Sequence, residues 1–320
     1  MNVCLPRAEL IGLDWGTTSL RAYLLDESGR VLELRSRDWG IRQLPAGGFD
    51  AALDDVLAGW PACPVLASGM VGSRGGWREV PYVDLPAHLA AVAGALSFVD
   101  SAAGRRVHLV PGLRNTVTAD VMRGEETEIF GALALQPVLA ASSALLLPGT
   151  HSKWVTVRDG CVVDFATAMT GELYAALRHH TILAAGLPGE DPPSDQDAFR
   201  RGVQAARDSG AAGALSRLFS ARALVLAGTL EALAVPDYLS GLLIGEELRS
   251  ALAAGRIDRA TPLQLIGNAA LCRRYAAAAS CFELGMALPP QAAAARGLWQ
   301  IGRAAGLTSL SPHHAAGARP

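Results

Sequence analysis

Short apolar runs separated by small polar turns dominate the start of the chain, and helical spacing dominates its second half. Leu10–Leu13 and Leu20–Leu25 are strand-length apolar runs, and a third begins near Val31. The turns between them, Trp15-Gly16-Thr17-Thr18-Ser19 and Asp26-Glu27-Ser28-Gly29, predict a three-stranded meander. The pattern returns at Leu145–Thr167: an apolar run, the turn Gly149-Thr150-His151-Ser152, a strand over Trp154–Val157, the turn Arg158-Asp159-Gly160 and a third strand. Two such hairpins predict an internal duplication. Between them the spacing predicts helices at Phe49–Trp60, Ala87–Leu96 and Asp120–Leu135, and strands at Pro64–Ala67 and Arg106–Val110. A glycine-rich loop covers Ser68–Trp77. From Thr170 onward the pattern is mainly helical, with Thr170 a cap for a helix running from Gly171 through Leu177. The loop Leu187–Asp197 interrupts it, and Leu263–Ile266 reads as a strand feeding a helix after Gly267-Asn268.

The 320 residues suffice for two domains, and 50% hydrophobic against 18% charged residues argues for large cores and against global disorder. No glycine- or proline-rich linker divides them. The repeat places the division, giving an N-terminal domain over 1–135, a C-terminal domain over 136–310 and a disordered tail over 311–320. A net charge of −2 gives no reason to expect nucleic acid or an anionic membrane as partner. No apolar run reaches membrane-spanning length, and a signal-peptide pattern is missing, so a cytoplasmic location is expected. The five cysteines are widely spaced without a CxxC pair, which favours buried thiols over disulfides or zinc.

Small residues in both hairpin turns expose backbone N–H groups and hydroxyls suited to phosphate oxygens, which makes Gly16, Thr17, Thr18, Gly149, Thr150 and His151 candidate nucleotide contacts. Asp14, at a strand end beside the first turn, is placed to hold Mg²⁺, which prefers one or two carboxylates with phosphates and waters. Either hairpin alone is equally well read as an ordinary polar turn. Glu125 and Glu126 follow Gly124; either suits acceptance of a hydroxyl proton, and either suits a helix N-terminus, where acids meet a favourable dipole. Lys153 is the only lysine in a chain that otherwise takes arginine for positive charge. A compact ammonium in the second hairpin is a candidate contact to phosphate or substrate.

The words LDWGTTSLRAYLLD, SGMVGSRGGW, DVMRGEET, LPGTHSKW, MTGEL, LFSAR and YLSGLLIGEEL extend from about Ile11 to Ala270. Together they resemble the 2-dehydro-3-deoxygalactonokinase family of the sugar kinase/Hsp70/actin superfamily. The resemblance implies an α/β fold of two ribonuclease-H-like domains around an ATP cleft. It implies ATP- and Mg²⁺-dependent phosphorylation of 2-dehydro-3-deoxy-D-galactonate at its C6 hydroxyl, in D-galactonate breakdown. It sets Gly124-Glu125 in the place of a glycine and catalytic acid, usually aspartate, which favours Glu125 over Glu126. It puts a sugar-binding loop at Ser68, Gly69 and Met70, with Arg74 for the substrate carboxylate and Trp77 or Tyr82 on a sugar face. Arg21, Arg114 and Arg123 are the next candidates for that carboxylate. LIGNAA resembles an adenosine motif at Gly267, with Asn268 where a second glycine is usual. A homodimer is the expected assembly. The rival readings are a kinase for another sugar acid or polyol, and an ATPase or phosphohydrolase of the same superfamily.

Overall fold

The computed structural model describes residues 7–184, 193–259 and 263–308. Contacts gather the described residues of 1–142, 157–164 and 290–320 into one compact unit and those of 143–156 and 165–289 into a second. The helix Ala293–Ala304 thus counts with the first unit, whereas a single cut in the chain assigns it to the second. Its apolar face decides this: Leu298, Trp299 and Ile301 are buried, and the helix packs on the strand Ala8–Trp15 and the helix Glu125–Leu135.

In the first unit the strands lie in the order Val31–Arg37, Leu20–Asp26, Ala8–Trp15, Val65–Ser68, Arg106–Leu109, Ser97–Asp100. The first three form the predicted antiparallel meander. Val65–Ser68 and Arg106–Leu109 add in parallel, and Ser97–Asp100 is an antiparallel edge. Leu10, Ile11, Leu13 and Trp15 are fully buried, so the first strand is covered on both faces. The helix Gly48–Leu57 buries Ala52, Leu53, Val56 and Leu57 in the same core.

The second sheet runs Met286–Ala287, Leu263–Leu265, Ser142–Leu147, Ser152–Arg158, Cys161–Ala168, with Ala87–His88 at its edge. Counted along the chain within each repeat, and setting aside the edge strands Ser97–Asp100 and Ala87–His88, both sheets follow the order 3-2-1-4-5. That order is ribonuclease-H-like, and its recurrence is the duplication the hairpins predict. Phe199, Ile244, Leu248, Leu265 and Tyr275 centre the second core.

Three local expectations are corrected. Asp120–Leu135 is not one helix: Asp120–Met122 is a strand, Gly124 caps at φ 107°, and the helix begins at Glu125. Ala87–Leu96 shortens to the helix Leu89–Gly94, because His88 is extended and its Nδ1 accepts from the Ala91 N–H at 3.1 Å. Thr170 is not the cap of its helix. It is the first helical residue, and its hydroxyl donates to the buried Glu247 carboxylate instead. The tail 311–320 and residues 187–192 of the predicted loop lie outside the described residues. Among the described residues Cys63, Cys161, Cys272 and Cys281 are free thiols, and no helix is long and apolar enough to cross a membrane.

Candidate active site

The first strand and its parallel neighbour end in register, with Asp14 opposite Ser68. Directly after Ser68 the chain turns at Gly69, φ 97°, where a Cβ would fall 2.7 Å from the Trp15 carbonyl oxygen. Gly124 faces it so closely that a Cβ there would lie 3.3 Å from the Gly69 Cα. Two residues without side chains therefore let the helix Glu125–Leu135 begin against the strand ends. Between them is a cavity of about 180 Å³. Asp14, Gly16, Ser68, Gly69 and Met70 line it from the strand ends, and Arg123, Gly124, Glu125, Thr127 and Glu128 from the helix start.

The two adjacent acids separate in role. Glu125 lines the cavity, and its Oε2 accepts from the Arg123 N–H at 2.9 Å. Glu126 is fully buried beneath the wall: its Oε2 accepts from the Gly124 N–H at 2.7 Å and its Oε1 from Ser68 Oγ at 3.2 Å. Burial, reinforced by the neighbouring Glu125 charge, pushes Glu126 up to about 7. Burial with repulsion from Asp14 and Glu125 pushes Glu128 up to about 8. Burial raises Asp14 as well, opposed by Arg21 at 3.7 Å. Carboxylates that hold each other's protons on in this way suit a divalent cation, whose charge reverses the shifts. Among the described residues no group of three potential ligands is close enough to cage a metal alone. The donor set therefore fits Mg²⁺, which keeps several waters and phosphate oxygens, better than a fully protein-ligated ion.

The remaining residues expected from the sequence fall in several places. The first turn is pinned by Gly16 N–H to Ser19 O at 2.9 Å, and Ile41 and Arg42 N–H groups reach Gly16 O and Thr17 O; Thr18 is exposed. Arg74 is exposed and outside the cavity. Trp77 stacks on Phe49 at 5.4 Å and meets Trp15 edge-on at 6.1 Å, so its ring is spent in the core. Tyr82 lies under the Arg123 guanidinium.

In the second unit Thr150 and His151 are exposed at their turn, Gly149 N–H points to Ser152 Oγ at 3.4 Å, and His151 Nε2 pairs with Glu172. Lys153 is only 5% exposed and donates to Thr167 Oγ1 at 2.7 Å. Gly267 has φ 115°, and the Asn268 side chain caps the next helix, Oδ1 accepting from the Ala270 and Leu271 N–H groups at 2.9 and 3.0 Å.

The family model for 2-keto-3-deoxy-galactonokinase matches residues 14–301. The 2-dehydro-3-deoxygalactonokinase of Escherichia coli (strain K12) is 37% identical over 272 residues, covering 84% of this chain and 88% of that one. This chain belongs to the 2-keto-3-deoxy-galactonokinase family. A crystal structure from Sinorhizobium meliloti, assigned as a 2-dehydro-3-deoxygalactonokinase, superposes with a TM-score of 0.83 at 36% identity, over 92% of this chain and 98% of that one. Component A of (R)-2-hydroxyglutaryl-CoA dehydratase from Acidaminococcus fermentans shares the fold alone, with a TM-score of 0.52 at 13% identity, over 93% of this chain and all of that one. The paired hairpins and the repeated strand order give two ribonuclease-H-like units, and the family match makes the protein a kinase.

Sequence reading passed over two residues of this galactonokinase-family cavity, Thr127 and Glu128, and ranked a third, Arg123, behind Arg74 for the substrate carboxylate. Glu128 carries a usable signal, since it lies three positions after Glu125 and so shares its helix face. It also passed over Glu247, which sits fully paired in the second unit. Its carboxylate accepts from Trp154 Nε1 at 2.8 Å, Tyr275 Oη at 2.6 Å and the Thr170 hydroxyl. Tyr275 Oη in turn meets Ser152 Oγ, at the base of the second turn, at 2.9 Å.

Proposed function

We propose that this protein transfers the γ-phosphoryl group of ATP to the C6 hydroxyl of 2-dehydro-3-deoxy-D-galactonate, as a step in D-galactonate breakdown. One observation carries the mechanism: a carboxylate at a helix start, Glu125, and a carboxylate at the strand end beside the first phosphate turn, Asp14, line one cavity. Family membership supplies the reaction class.

In this reading Glu125 accepts the proton of the C6 hydroxyl. The O6–Pγ bond forms as the bond from Pγ to the bridging oxygen breaks, and the leaving electron pair stays on ADP. The bond from the Arg123 N–H holds the Glu125 carboxylate in place without neutralising it. Asp14 would hold Mg²⁺, with Glu128 facing the same cavity; when bound, the ion neutralises charge on the transferring group. Thr17 and Thr18 would offer N–H and hydroxyl donors to phosphate oxygens, as would Thr150 and His151 of the second turn, with Gly16 and Gly149 leaving room for the phosphates to approach. Gly267 and the exposed amide of Asn268 would meet the adenosine. Lys153, buried against Thr167, would act by fixing its strand rather than by reaching phosphate.

The test is ADP release from a panel of aldonates and 2-keto-3-deoxy acids, with ³¹P and ¹³C spectra locating the new ester. Phosphorylation at C6 of the galacto acid with the highest kcat/KM is expected. Preference for another acid would move the substrate, and ADP release independent of any acid would replace the kinase with an ATPase.

A further inference from the structure

Arg123 has the chemistry of a receptor without a ligand. Its side chain lines the cavity beside Glu125 and is 9% exposed. Nη2 donates to the Val80 carbonyl at 2.7 Å, and the guanidinium lies 4.4 Å over the Tyr82 ring. Nε and Nη1 are buried and have no hydrogen-bond partner. The neighbouring carboxylates are engaged elsewhere: Glu125 accepts from the backbone N–H of Arg123, and Glu126, whose charge Arg123 partly offsets, accepts from Gly124 and Ser68. A buried guanidinium with donors unspent is costly unless something supplies an anion. The ring beneath it offsets part of that cost, as cation–π contacts do when desolvated. Gly72 shapes the seat, since a Cβ there would come within 3.1 Å of Nη1.

We propose that Arg123 receives the carboxylate of the sugar acid and thereby selects an acid over a neutral sugar. The proposal rests on the kinase reading above and names the group that confers its substrate class. Arg123 and Glu125 line the same cavity, so one six-carbon acid would meet the first with its C1 carboxylate and the second with its C6 hydroxyl. The other arginines are less suited. Arg74 is exposed, Arg21 faces Asp14 at 3.7 Å, and Arg114 forms a two-pronged pair with Asp84.

The experiment compares the acid with its neutral C1 carboxamide in wild type, R123M, R123K and G72A. Wild type should favour the acid. R123M should lower kcat/KM for the acid by ~30-fold or more, the scale of removing one partner from a buried charge pair. It should leave the amide and the KM for ATP within about 3-fold, so the preference collapses. R123K should recover part of it, because it keeps charge without the fork. If R123M does not fold, G72A decides: its methyl crowds Nη1 and should shrink the acid-over-amide ratio without changing the charge of the site. An unchanged ratio in a folded R123M, or in G72A where R123M fails to fold, overturns the proposal. Calorimetry of the acid without ATP separates this from the kinase reading. Arg123-dependent binding without phosphorylation would sink the kinase and keep the receptor; phosphorylation with Arg123-independent binding would do the reverse.

Discussion

Replacing Glu125 with Gln keeps the side chain's size and removes the proton acceptor. The expected result is a fall in kcat of ~10²–10⁴, the usual scale for losing a general base, with ATP affinity nearly unchanged. Glu126→Gln should be much milder, because Glu126 is buried beneath the cavity wall and already carries a proton much of the time near neutrality. Steady-state kinetics of both variants checks the order, and the reverse order would move the base by one residue. Asp14→Asn should raise the Mg²⁺ concentration needed for half-maximal rate, read by titration at saturating ATP; an unaltered curve would free Asp14 of the ion. Of the residues lining the cavity, Asp14 and Gly16 could be picked out from local pattern, an apolar run meeting a small-residue turn, whereas Ser68, Gly69, Met70 and Gly124-Glu125 were picked out by the family resemblance. Arg123 ranked only behind Arg74, because its burial depends on Val80 and Tyr82, which are far along the chain and announce nothing locally. Trp77 misled for the same reason: an aromatic in a glycine-rich loop gives no local sign that Phe49 and Trp15 enclose it.

At the scale of elements, the helix that carries Glu125 is set by a backbone-to-backbone crossing with Ala293–Ala304. A Cβ at Gly297 would lie 1.8 Å from the Thr127 carbonyl oxygen, and one at Gly131 would lie 1.9 Å from that of Ala293. Gly297→Ala must push the helices apart, costing ~1–3 kcal/mol or more for overpacking. A lower Tm together with a lower kcat is the expected pair of readouts, since the displaced helix takes Glu125 with it. The turn after the second strand gives a pH-dependent case. Burial raises the Asp26 carboxyl, but bonds from the Ser28 hydroxyl and the Ser28 and Arg30 N–H groups outweigh it and hold the group below its ordinary value. A carboxyl lowered by folding adds stability above its unfolded value, near 4, and loses it as the pH falls through the folded value. Asp26→Asn should therefore destabilise at pH 7 and flatten the loss of stability below about pH 4. Denaturant melts at a series of pH values check this, and parallel curves would refute it. Strands and hairpins were readable here because their period and turn residues are local. Helix starts were less so: Thr170 looked like a cap, yet a buried carboxylate 77 positions away claimed its hydroxyl.

For the whole molecule, the duplication was visible in two hairpins, and the order 3-2-1-4-5 in both sheets extends it to the strands that follow. The return of the C-terminal helix to the first unit was not visible, since apolar spacing says that a face is covered and not by what. The buried Lys153 has a consequence of another kind. Amine-reactive reagents meet only the chain's terminal amine and one ammonium that is tucked against Thr167. Acylation of native protein should leave Lys153 untouched over times that fully label it in denaturant, as peptide mass spectrometry would record; equally fast labelling in both would contradict its burial. The rate at which Lys153 becomes acylated in mild urea then acts as a clock for transient opening of the second unit, read at a single side chain and with no engineered probe.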